Sequence, residues 1–172
     1  AVLLSRANWP LKPKVFHAQM RLMPSIPMEL AVLNAKQSVL MFYRKDQEYD
    51  GFHMPGTVLQ DTDSLESAVQ RLLKSEVVGA NVSRPFSIGH VEIPKGMGAG
   101  QNPTRHEVSI LWIASLQGPY TGSYQGKPGE FFPLYSLPNN TLSHHRVLIK
   151  RVSTFLHLPS FDKDLIRKWF NN

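Results

Sequence analysis

The stretch whose reading decides the fold runs from Phe52 to Gly79, FHMPGTVLQDTDSLESAVQRLLKSEVVG. Pro55-Gly56 marks a tight turn, and a short polar loop leads into a helix predicted over about Ser64 to Val78. Leu65, Ala68, Val69, Leu72 and Leu73 recur at i, i+3, i+4, i+7 and i+8, a single apolar stripe at the helical period. Asp63 is the expected N-cap, with Glu66 three residues on in a variant of the capping box, and Gly79 closes the helix. Glu76 breaks this pattern. It projects between Val69 and Leu72, inside the stripe, and sits in the last turn, where the helix dipole disfavours negative charge. A carboxylate there needs a cationic partner, a basic side chain or a metal ion. The alternative is that the helix frays before Glu76 and its side chain reaches water.

The stretch resembles a degenerate Nudix box, in which a Gly-containing loop enters a helix carrying Arg-Glu-apolar-x-Glu-Glu. Pro55-Gly56 matches the start of that loop, Asp63 stands where an acidic residue is usual, and Arg71 and Glu76 match the Arg and the last Glu. Thr57 replaces the second Gly, Leu72 and Ser75 replace two acidic positions, and Gly79 comes one residue late. Arg71-Leu72-Leu73-Lys74-Ser75-Glu76 is similar to the box of the GDP-mannose mannosyl hydrolase branch, which also has Arg-Leu and a single Glu before the closing Leu-Gly. Such boxes belong to active enzymes. The implied fold is α+β, a Nudix-like α/β/α sandwich around a mixed central sheet.

The resemblance extends from about residue 25 to 140. Met28–Leu33 and Ser38–Arg44 read as an antiparallel hairpin, with Arg44 at a strand end where the similar branch also has Arg. Its guanidinium could hold a phosphate, or it could be an exposed strand-end residue. Pro85–Ile93 reads as a strand, and the glycine-containing loop Lys95–Arg105 as a mobile lid or plain connection, because it enters a strand and not a helix. His106–Leu116 is apolar on both faces and is predicted to be a central strand. Arg105-His106-Glu107-Val108 is similar to a Thr-His-aromatic-Val run that supplies the catalytic base in the mannosyl hydrolase branch, which makes His106 the candidate base. Glu107, pointing the opposite way, is a second candidate as base or metal ligand. Gln117–Gly129 reads as a long turn region, and Glu130–Pro138 resembles the aromatic-x-Pro-Leu-x-x-Leu-Pro segment of Nudix proteins. Thr141–His157 is predicted helical, with His144 and His145 in its first turns as candidate ligand contacts. A last helix is expected from Pro159-Ser160 to Phe170.

The resemblance implies a Mg2+-dependent (or Mn2+-dependent) hydrolase of a nucleoside diphosphate derivative, with nucleotide sugars among the candidate substrates. Glu76 and the backbone carbonyl near Thr57 would hold the metal, Arg44 and Arg71 the phosphates, and His106 would activate water. The rival class is a catalytically impaired domain that binds a nucleotide, a nucleotide sugar or RNA.

Composition agrees with one ordinary globular domain: 172 residues, 42% hydrophobic, 19% charged. The absence of cysteine excludes disulfides and thiolate metal sites and suits a cytoplasmic setting. A net charge of +6 suits anionic ligands, but the basic residues are scattered and form no run typical of nucleic-acid tails. No apolar stretch is long enough to span a bilayer, and AVLLSRANWP is too short and too polar beyond Leu4 for a signal peptide. Residues 1–27 hold four prolines and read as an N-terminal arm, either packed on the domain formed by 28–172 or crossing to a neighbour in a homodimer.

Overall fold

The computed structural model describes residues 12, 15, 18, 24–46, 49–95 and 106–157. Residues 96–105 of the loop, the segment of the predicted last helix and most of the N-terminal arm lie outside them.

Two of the predicted strands form the heart of the sheet. β1 (Pro27–Leu33) and β2 (Ser38–Lys45) make the expected hairpin, with Leu33 opposite Val39. β1 also runs parallel to β6 (Glu107–Ser115) over six residue pairs, from Met28↔Ile110 to Leu33↔Ser115. The sheet is therefore mixed. β5 (Phe86–Ile93) lies antiparallel on the far side of β6, and β3 (Asp50–His53) pairs with β2, giving the order β3-β2-β1-β6-β5. β4 (Gly56–Val58) pairs with the start of β1, and β9 (Glu130–Pro133) with the first half of β2. Short β7 (Ser123–Tyr124) and β8 (Lys127–Pro128) form a separate hairpin inside the stretch expected to be plain turn. Its turn uses Gln125 and Gly126, both at positive φ, the geometry that matches strand twist in tight hairpins.

One helix covers each face. α1 (Leu65–Glu76) packs Ala68, Val69 and Leu72 against Met28, Leu30, Val32, Phe42, Trp112 and Ala114. α2 (Ser143–Leu156) packs Leu148, Ile149 and Val152 against Ala31, Leu33, Met41, Leu111 and Ile113. Alternate residues of β1 and β6 thus feed two cores, which is why both strands read as continuous apolar runs. No described helix is long and apolar enough to cross a membrane.

The helix start differs from expectation. The N-cap is Ser64, whose Oγ accepts from the Ser67 N–H at 3.1 Å. Asp63 is engaged elsewhere: its Oδ2 accepts from Gln60 N–H and from Arg71. The charge-assisted bond to arginine is the stronger use of a carboxylate, and it leaves the cap to the neighbouring hydroxyl. Leu65, placed in the apolar stripe by its spacing, is 41% exposed at the helix mouth.

Gly56 is fixed by packing. A Cβ there would lie 2.6 and 2.7 Å from the carboxylate oxygens of Glu29, the residue opposite it in the β1–β4 ladder. Gly56→Ala is expected to destabilise the fold by about 1–3 kcal/mol, the usual cost of overpacking. Urea denaturation would measure it, and an unchanged midpoint would mean that Glu29 swings away freely.

Candidate active site

The β2–β3 pairing and the end of α1 bring Arg44, His53, Glu76 and Tyr124 near one another on the α1 side of the sheet. Phe42 stands opposite His53 in the ladder, so both project to the same face, and Arg44 follows two residues along β2 on that face. Tyr124 of the β7–β8 hairpin lies over them, 5.4 Å from the Phe42 ring and 5.5 Å from the His53 ring, edge-on to the latter. Glu76, in the last turn of α1, raises the pKa of Tyr124 by its charge, after the larger effect of burial, and so borders the same space.

Glu76 does not fray into water. Its Oε2 is buried and accepts no hydrogen bond. Burial pushes its pKa up from 4.5 to about 7, only partly offset by the positive charge of Arg44. The carboxylate is held in an unfavourable place with a cation nearby and a vacant lone pair, an arrangement typical of functional sites. Arg44 itself lies over the Tyr49 ring at 4.5 Å and is bonded through Nε to Asp46.

Arg71 and Thr57 stand apart from this space and hold the loop together. Arg71 donates to Thr57 Oγ1 at 2.6 Å, to the Val58 carbonyl at 2.9 Å and to Asp63 Oδ2 at 2.6 Å. The guanidinium holds the Asp63 carboxyl below its usual range, chiefly through that hydrogen bond. Three acceptors from one short loop explain how the loop keeps its shape with a β-branched residue in place of the second glycine: Thr57 is in a strand pairing with Met28, and only Gly56 needs to lack a side chain. The other two substituted box positions are equally accounted for. Leu72 is fully buried in the core, and Ser75 Oγ donates back to the Leu72 carbonyl at 3.5 Å.

His144 and His145 start α2 and are both buried. Their rings are 4.3 Å apart, His144 is 5.9 Å from Tyr49, and His145 is 5.7 Å from His53. His145 Nδ1 accepts from the Met54 N–H at 3.3 Å and lies 3.8 Å from Glu29 Oε2. Burial, and then the charges of His144, His53 and Arg44, push the pKa of His145 well down. His106 is on the other side of the sheet's centre, at the mouth of β6. Its Nε2 lies 2.8 Å from Glu92 Oε1 of β5, an exposed pair. Glu107 is buried at 5% exposure, opposite Ile93 and bridged to Ser25.

Sequence reasoning missed His53 and Tyr124. His53 Nδ1 is 2.8 Å from the Met54 carbonyl, which can only accept, so Nδ1 carries the proton and Nε2 the lone pair. That Nε2 is buried and has no partner. An orphaned buried acceptor costs about 1–3 kcal/mol. Burial drives the His53 pKa from 6.5 down to about 4, with a smaller opposing effect from the Met54 hydrogen bond. Neither residue lies in a recognisable motif; the only available signal was the polar His in an otherwise apolar Phe-His-Met run before the turn.

These shifts carry a pH signature. A histidine depressed in the fold binds its proton more readily when unfolded, so stability falls as pH drops below 6.5 and goes on falling to about 4. For His53 the loss amounts to about 3 kcal/mol. Glu76 acts in the opposite sense: its raised pKa makes stability fall as pH rises from 4.5 to about 7. Denaturation of Glu76→Gln is therefore expected to expose a steeper acid destabilisation between pH 6.5 and 4 than wild type shows. Equal slopes for the two proteins would contradict the placement of Glu76.

Among the described residues no group of three or more His, Asp or Glu side chains is arranged to hold a metal ion. The donor set is a single carboxylate, Glu76, with an unused buried oxygen. The nearby loop carbonyls of Pro55 and Val58 are taken, by Leu30 N–H and by Arg71. One Mg2+ or Mn2+ fits such a donor set when phosphate oxygens and waters complete its shell, which is how Mg2+ is commonly bound.

A mixed sheet between two helices, with a strand–loop–helix element presenting a carboxylate at the helix end, defines the Nudix fold. The solved structures agree. A MutT NUDIX hydrolase from Burkholderia pseudomallei matches 76% of this chain and 98% of its own, with a TM-score of 0.58 and 19% identity. MutT from Methanosarcina mazei Go1 matches 78% and 97%, with a TM-score of 0.60 and 15% identity. The NUDIX domain of Shewanella oneidensis NrtR, solved in complex with ADP ribose, matches 86% and 94%, with a TM-score of 0.59 and 18% identity. No family model and no curated protein matches the sequence.

Proposed function

We propose that the protein is a metal-dependent hydrolase of a nucleoside diphosphate linked to a second group. The observation that carries this reading is Glu76: a carboxylate kept buried and unpartnered beside Arg44, at the C-terminal end of the box helix. Stability alone would not retain it, since a protonated or apolar side chain would fit better. In this reading Glu76 anchors Mg2+ or Mn2+, and Arg44 holds a phosphate through its fork of donors. The bound ion supplies neutralisation of the diphosphate charge and polarisation of its oxygens. Arg71 and Thr57 act on the ligand only through the loop they fasten. His106, its ring oriented by Glu92, takes the proton from water, with Glu107 as the alternative base; His144 and His145 support the site from the α2 side.

Nucleotide sugars are the favoured substrates, with attack at the sugar carbon as in the mannosyl hydrolase branch, on the strength of Leu72 and His106. The NrtR neighbour's ADP ribose belongs to the same chemical class. Such compounds are abundant in the cytoplasm, which suits the cysteine-free composition. A second reading, a domain that binds such a ligand without cleaving it, is favoured by the lone carboxylate.

The test is release of free sugar and nucleoside diphosphate, or of nucleoside monophosphate and sugar phosphate, from a panel of nucleoside diphosphate sugars and related compounds with Mg2+ or Mn2+. Wild type would be run beside Glu76→Gln and His106→Ala. Turnover lost in both variants supports the hydrolase and its base. Turnover lost only in Glu76→Gln removes His106 from the mechanism. Ligand-induced thermal stabilisation without turnover selects the binding domain.

A further inference from the structure

We infer that His53 reads the non-phosphate part of the ligand, its Nε2 accepting a hydrogen bond from a sugar hydroxyl or a base amino group. This rests on the nucleoside diphosphate reading of the same site. Three observations support it independently of any motif. The proton on His53 is held at Nδ1 by the Met54 carbonyl, so the opposite nitrogen is a fixed acceptor. That acceptor is buried, with His53 only 6% exposed, and is unsatisfied among the described residues. Finally, it shares the α1 face with Arg44 and lies under the same Tyr124 ring that borders Glu76.

The surroundings specify the kind of group that fits. Rings of Phe42 and Tyr124 flank His53, which suits a sugar or base with a flat or apolar face and one donor edge. The stem of the β7–β8 hairpin is seated by Gly122 against the Val78 carbonyl and by Gly129 against Leu40 and Phe42, where no Cβ would fit. Its tip is held by Tyr124 on Phe42 and by Lys127 over the Tyr43 ring at 5.1 Å. On this proposal Tyr124 must rotate to admit the ligand to His53 Nε2 while the stem stays docked. The imidazole also stays neutral on binding, because burial makes its protonation costly, and it therefore acts as an acceptor throughout the neutral range.

A site built to accept one hydrogen bond discriminates strongly against a ligand that lacks the donor. The experiment compares ADP-ribose, GDP-mannose and UDP-glucose with partners in which one sugar hydroxyl is replaced by hydrogen, or the base amino group is removed. Binding and kcat/KM are measured with wild type, His53→Phe and His53→Asn. For the compound wild type prefers, loss of one particular donor is expected to cost tenfold or more. In His53→Phe that ratio should collapse to within about twofold, and in His53→Asn, which keeps a shorter acceptor, it should be intermediate. Whether the sensitive donor is on the sugar or the base identifies which half lies at His53. Equal ratios in wild type and both variants overturn the role of His53 and leave the hydrolase reading intact. Wild type that neither binds nor cleaves any of the compounds overturns both. If His53→Phe does not fold, His53→Asn alone decides between these outcomes.

Discussion

Glu76→Gln is expected to abolish metal-dependent turnover, by at least a hundredfold in kcat/KM, and at the same time to make the unliganded protein more stable at pH 8. The two effects have one cause. At pH 8 the wild-type carboxylate is ionised in a site where burial has raised its pKa from 4.5 to about 7. Glutamine fills the same space without the charge. The gain is about 1–3 kcal/mol at pH 8 and disappears below pH 4.5, where the wild-type group is protonated in both folded and unfolded states. Added Mg2+ should reverse the order at pH 8, stabilising wild type and leaving Glu76→Gln unmoved. Thermal melts at pH 8 and pH 5, with and without Mg2+, give all four values. A variant less stable than wild type at pH 8 would mean that Glu76 has a favourable partner in the fold, and the case for a ligand-directed carboxylate would fail.

Arg71→Ala carries the largest expected loss of stability, about 2–4 kcal/mol. The side chain is only 31% exposed, and its removal takes a donor from Thr57 Oγ1, the Val58 carbonyl and Asp63 at once, leaving Asp63 the Gln60 N–H but no cation. Asp63, 12% exposed, would be left as a poorly solvated carboxylate. Arg71→Lys should recover less than half the loss, because an ammonium cannot present the planar fork that three acceptors require. The deficit should shrink as pH falls from 3.8 through the lowered pKa of Asp63, where the folded wild-type carboxylate takes up its proton. Urea denaturation measures the cost, and amide exchange over residues 57–63 locates it. A loss below about 0.5 kcal/mol with unchanged exchange would assign Arg71 to the solvated surface instead.

Much of the architecture was legible along the chain because it rests on period and punctuation. The period-2 runs of β1, β2 and β6, the 3.6-period stripe of α1 and the Pro55-Gly56 turn are local signals, and each produced an element close to its expected limits. The apolar content of β6 on both faces placed it at the sheet centre, where it lies between β1 and β5. The β7–β8 hairpin escaped because its strands are two residues long and too short to display a period.

The candidate site was legible only in part. Glu76 was identifiable from sequence alone, since a carboxylate inside an apolar stripe contradicts its own helix. Spacing could not distinguish a frayed helix end from a buried acid; the tertiary packing around the end of α1 made it buried. Arg71 was legible as a box residue, but its use was not, because Asp63, Thr57 and Val58 reach it only once the loop has folded back over α1. His53 depends wholly on tertiary structure. Its tautomer is set by the carbonyl of the next residue, its burial by Phe42 and by a hairpin seventy residues away, and its vacant nitrogen by the absence of a donor among the described residues packed around it. The sequence by itself determined which segments become strands and helices and that one acid was out of place. The three-dimensional packing decided which polar atoms remain unsatisfied, because satisfaction depends on neighbours brought together from distant parts of the chain.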